Sequence, residues 1–177
     1  MALEKYEMDG ATYYFNPKNE SWLNSSYTRV GLEEKYKLNK LRVQNIDFDN
    51  MDTEELLSIA QSMKDNNDTL NSARIFNELL NRCEDAGVVR NILPRYTSIL
   101  RMNKQPKEAI NMFEKYYDIY GKSIYSPALF TSVAAAYCDT GDYYEARNKA
   151  NVANAMSGGK TSEELISVYA RIKKMEE

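Results

Sequence analysis

Histidine is absent from this 177-residue chain. That removes the commonest metal ligand and the commonest general acid–base near neutral pH. Cysteine is scarce: Cys83 and Cys138 lie far apart in no paired motif, and they read as two buried free thiols of a reducing compartment. No stretch approaches the ~18 consecutive apolar residues of a membrane span. The opening Met1–Glu7 is acidic and lacks an apolar core, so no secretory signal is expected and a cytoplasmic protein is the default. Neither charge dominates. With 23 Lys and Arg against 26 Asp and Glu, the net charge is −3, which argues against a nucleic-acid binder that relies on bulk electrostatics.

What is present is a repeat. Leu56, Ile59, Ala60 and Met63 have the spacing 0, +3, +4, +7, which recurs as Leu93, Tyr96, Thr97, Leu100 and as Phe130, Val133, Ala134, Tyr137. The three sets start 37 residues apart both times. A fixed period in this range is the mark of stacked helical repeats. Leu165, Val168, Tyr169 and Ile172 repeat the spacing once more.

Start and stop signals place seven helices after residue 52. Asp52 with Glu55 predicts a helix over 53–65, and a partner follows over 70–84. The next segment, Val88–Asn103, contains Pro94. A cap at Asn91 would put that proline in the first turn, where its missing N–H costs nothing, so the later start, or a frayed first turn, is expected. Pro106 opens a fourth helix that stops before Gly121, and Ser126-Pro127 opens a fifth that ends near Gly141. Asp142 with Glu145 opens the sixth, and Thr161 with Glu164 caps a last helix reaching about Met175. Short loops force antiparallel neighbours. Each apolar stripe needs cover that a single pair cannot supply. On the last helix, Glu163, Arg171, Lys173 and Lys174 form a polar outer face suited to closing an array.

Phe130-x-x-Val133-Ala134-x-x-Tyr137, then Gly141-Asp142-Tyr143, Ala146 and Ala153, resembles a tetratricopeptide repeat (TPR). Leu93, Tyr96, Thr97, Leu100, Ala109 and Phe113 follow in register without the turn glycine, as do Leu56, Ile59, Ala60, Met63, Ala73, Phe76 and Leu80 with one extra turn residue. The resemblance covers roughly residues 53–175. It implies an all-α fold: a right-handed α–α superhelix of antiparallel helix pairs, about three repeats and a C-terminal capping helix. It also implies a non-enzymatic interaction module whose first helices line a concave groove for a protein or peptide. From the register, the groove candidates are Leu57, Gln61, Lys64, Asn91, Ser98, Arg101, Thr131, Ala135 and Cys138, with Arg95 and Asp139 at the border of the set. Lys64 and Arg101 could pair with a carboxylate or an acidic peptide.

Residues 1–51 read differently from 52–177. Thr12 to Trp22 predicts a β-hairpin or extended arm, with aromatic runs either side of a Pro/Asn turn. Tyr13, Tyr14, Phe15 and Trp22 crowd a segment too short to bury them alone, so the arm is a second candidate contact surface. Docking on the chain's own helices, contact with a partner or second copy, and disorder are the alternatives. Leu32–Leu41 predicts a short amphipathic helix, and residues 45–51 an acidic linker.

No catalytic constellation is visible. Ser157-Gly158-Gly159-Lys160-Thr161 lies between two helices, whereas a phosphate loop follows a strand. Glu54-Glu55 and Glu163-Glu164 suit helix first turns. No histidine is available to activate Cys138. No enzyme, cofactor or metal is expected. The functional expectation is an adaptor, scaffold or regulator binding a protein or peptide through the groove, the arm or both. Two alternatives stand beside it. One is a nucleic-acid-associated repeat protein using Arg82, Arg90, Arg95 and Arg101 with Tyr96 interleaved. The other is a homo-oligomer assembled through residues 1–45. No membrane partner is expected.

Overall fold

The computed structural model describes residues 2–176. The chain divides into two compact units, Met1–Asp52 and Thr53–Glu177. Among the described residues there are three strands, eight α-helices and one short 3-10 helix.

The first unit is a three-stranded antiparallel meander with one helix: β1 (Glu4–Met8), β2 (Ala11–Asn16), β3 (Ser21–Leu23) and α1 (Leu32–Gln44). The β2–β3 hairpin occupies the predicted segment; β1 is an addition. The β1–β2 turn is Asp9-Gly10, and both residues have positive φ (52° and 78°). Two such residues make the primed turn whose twist suits a two-residue hairpin, and Gly10 adopts that conformation without a Cβ penalty. Alternation along β2 and β3 turns Tyr13, Phe15 and Trp22 to one side, where they form a core with Leu38 of α1. Tyr6 and Met8 of β1 pack against it. The aromatic segment is therefore not left without cover: β1 and α1 supply what the hairpin alone lacks.

The second unit is a series of helix hairpins: α2 (Thr53–Asp65), α3 (Thr69–Arg82), α4 (Ala86–Met102), α5 (Pro106–Tyr120), the 3-10 helix Gly121–Ile124, α6 (Pro127–Thr140), α7 (Tyr143–Met156) and α8 (Glu163–Glu176). Local chemistry explains most boundaries. The side chains of Asp68, Ser126 and Asp142 accept backbone N–H bonds from Asn71, Leu129 and Glu145. Gly141, in the left-handed region at φ 84°, ends α6 and turns the chain into α7.

Two boundaries differ from expectation. α4 starts at Ala86, capped by Asp85, so Asn91 is not a cap and Pro94 lies inside the helix. At α8, the side chain of Ser162 rather than Thr161 accepts the Leu165 N–H, at 3.2 Å.

α2 packs on α3, α4 on α5 and α6 on α7. The first helices α4, α6 and α8 stand side by side, and α3, α5 and α7 each pack on the first helix of the next hairpin. The repeated stripe makes these seams. Leu93, Thr97, Leu100, Phe130, Val133, Ala134, Leu165, Val168 and Ile172 are all buried. Ala109, Ala146, Ala150 and Ala153 are fully buried, and side chains this small permit close helix approach. At α2–α3, Ser72 Oγ donates to the Ala60 carbonyl at 2.7 Å. Each fully buried Leu, Ile or Phe contributes roughly 1.5–3 kcal/mol of transfer free energy.

Candidate functional site

An α-helix advances 100° per residue, which puts Gly87, Asn91, Pro94, Ser98, Arg101 and Met102 on one stripe of α4. That stripe faces the seam with α6, and a cleft opens at each end of it. The C-terminal cleft, about 760 Å³, is lined by Ser98, Arg101, Met102, Lys104, Asp139 and Arg171, among others. The N-terminal one, about 410 Å³, lies between Gly87, Arg90, Asn91, Pro94 and Arg95 of α4 and the start of α6 at Ser126 and Ala128.

The C-terminal cleft is organised by a carboxylate. Asp139 Oδ2 accepts from Arg101 Nε at 2.7 Å, and its Oδ1 accepts from Arg171 at 2.6 Å. Glu164 lies 3.4 Å from the other edge of Arg101. One acidic side chain on α6 thus ties α4 to α8, and both guanidiniums already hold an anion. Short charge-assisted bonds of this kind are the stronger class. Cys138 is buried beside them, and burial pushes its thiol pKa up, so it carries little thiolate. Arg171 turns into this cleft rather than outward with Lys173 and Lys174, contrary to its expected place on the outer face of α8. Its partner is 32 residues away, beyond the reach of helix periodicity.

The N-terminal cleft differs. Arg90, Asn91 and Arg95 are exposed, and none of their side chains makes an ion pair or hydrogen bond with another described residue.

Ser98 and Arg101 therefore share one cleft, and Asn91 and Arg95 share the other. Thr131 is buried at 3% exposure, with no surface to offer. Lys64 sits half-buried on α2 and lines neither cleft. Thr97 Oγ1 and Ser132 Oγ, 2.9 Å apart, close the buried seam between the two clefts.

No protein-family model, curated protein or solved structure matches the sequence. Among the described residues, no group of three His, Cys, Asp or Glu could hold a metal ion, and no helix is long and apolar enough to cross a membrane.

In the N-terminal unit, Tyr13, Phe15 and Trp22 are buried, and Trp22 Nε1 donates to Asn39 Oδ1 at 2.7 Å. Arg42 lies over the Phe15 ring at 4.0 Å. These side chains build the unit's own core. Tyr14 alone of the four lies on the opposite face, stacked on the exposed Tyr27 at 5.1 Å. Gly87, Pro94, Lys104 and Arg171 also line the clefts, although the helical register does not single them out as groove residues. Only Arg171 carried a signal, as a cation on a periodic helix.

Proposed function

We propose that residues 53–177 form a non-enzymatic, TPR-like interaction module that takes a protein or peptide along the face shared by α4, α6 and α8. The observation that carries this reading is the α4–α6 seam: two first helices side by side, with a cleft at each end of one stripe. Clefts with a few convergent polar groups between packed helices suit ligand recognition. Helix hairpins stacked in this way supply a rigid scaffold for such a surface. The role is that of an adaptor, scaffold or regulator.

Site-specific photocrosslinking tests it. A benzophenone side chain at Ser98 should trap a discrete partner in native cells. The same group at Tyr144, which is 77% exposed on α7, should not trap that partner. Equal trapping at both positions, or none at Ser98, rejects the seam as the binding face.

A further inference from the structure

We propose that the N-terminal cleft of the α4–α6 seam binds an extended acidic peptide segment. This rests on the interaction-module reading and names the ligand chemistry. Arg90 and Arg95 are five residues apart, so they point about 140° apart around α4 and are separated by a rise of about 7.5 Å. Between them run Gly87, Asn91 and Pro94. Glycine offers no side chain and proline only a compact ring, so the floor is low and the two guanidiniums bracket a trough.

The floor is shallow and mostly apolar, with a few polar groups set into it. Pro94 has no N–H, so the Arg90 carbonyl lacks the helical donor that residue i+4 normally supplies. The Asn91 amide can donate and accept, which matches the N–H and C=O of a peptide backbone. In an extended segment, side chains two residues apart point the same way at a separation of about 6.6 Å. Arg90 and Arg95 span more than this, about 8.6 Å at Cα on an ideal helix, and their long side chains must fold inward to meet such a pair. Asp85, beyond Gly87, is bound to the Val88 N–H at 2.9 Å and does not reach either arginine with an ion pair.

Contrast between the two clefts assigns the roles. A ligand carboxylate at Arg101 or Arg171 must displace Asp139 or Glu164. At Arg90 and Arg95 it displaces only water. Two cations over a floor with an amide set into it fit a short peptide better than a nucleic acid, whose affinity comes from many phosphate contacts.

The test is a titration of the 15N-labelled full chain with the amide-capped peptide Gly-Ala-Glu-Ala-Glu-Ala-Gly, followed by NMR. The expected result is shifts of the Asn91 side-chain amide and of backbone signals from residues 87–95 and 126–128. Affinity should fall at least tenfold for the Gln-for-Glu peptide and for the double variant Arg90→Glu/Arg95→Glu, with helical content unchanged. Lys107→Glu, an exposed change lining neither cleft, should leave affinity within twofold. Three results would overturn the proposal: no shifts at millimolar peptide, shifts confined to the Arg101–Arg171 cleft, or equal affinity for the Gln peptide. Tighter binding of an oligothymidylate to the same residues would also overturn it, in favour of nucleic acid. A partner trapped at Ser98 beside a failed peptide titration keeps the module and rejects the acidic ligand; peptide shifts without trapping at Ser98 do the reverse.

Discussion

The indole of Trp22 donates to the side-chain carbonyl of Asn39, 2.7 Å away, with both residues buried in the N-terminal unit. A buried donor left without its acceptor forfeits about 1–3 kcal/mol. Asn39→Ala should destabilise this unit by that amount. Trp22 is the chain's single tryptophan, so the change is read as a lower urea midpoint in its fluorescence. An unshifted midpoint would mean that water replaces the amide at no cost.

Asp139 links α4 and α8 through Arg101 and Arg171. Its side chain is 28% exposed, so solvent screens the pair and the contribution is modest, about 1 kcal/mol. Asp139→Ala should lower the melting temperature of the helical unit by about 2–5 °C, as followed by circular dichroism. Molar salt should narrow the difference between the two proteins, because the ionic contribution is what the mutation removes.

Tight approach of α6 and α7 depends on small side chains. Ala146 is fully buried at that contact. Ala146→Leu should cost about 1–3 kcal/mol through displaced neighbours. Chemical denaturation measures this, and wild-type stability in the variant would show a slack seam.

The response to pH should be one-sided. Tyr6, Tyr96 and Tyr137 are each pushed up to about 12, chiefly by burial. In the unfolded chain a tyrosine titrates near 10, roughly. The folded value is the higher one, so this stability is fully present below pH ~10 and lost as pH rises towards about 12. With no histidine to titrate, stability should be nearly flat from about pH 6 to 9. Denaturation midpoints, with tyrosinate absorbance as a second signal, check both halves. A marked loss already below pH 9 would show that other groups control stability.

Local chemistry was legible in the residue order. The 0, +3, +4, +7 spacing is a property of one helix, as are the caps at Ser126 and Asp142, so most helices of the second unit can be placed without knowing their neighbours. Signals failed where two local rules competed. Pro94 argues for a late helix start, yet Asp85 caps an earlier one, and burial of Val89, Ile92 and Leu93 holds the first turns of α4 in place despite the missing N–H. β1 was hard to read because it is short and mostly polar, with Glu4, Lys5 and Glu7 leaving only Tyr6 and Met8 as apolar positions, although Asp9-Gly10 is a strong hairpin turn.

What the chain by itself determined was where helices lie and which stripe of each is apolar, because periodicity and capping act within a few residues. Only the tertiary structure decided which charged groups are already partnered. Arg101 looks as free in sequence as Arg95. It is bound because Asp139 arrives from a helix 38 residues on, while nothing described arrives at Arg95. Likewise, Trp22 looks exposed until β1 and Leu38 are folded over it. An ion pair or a covered ring needs two distant segments brought within a few ångströms, and that separation is set by packing rather than by residue order.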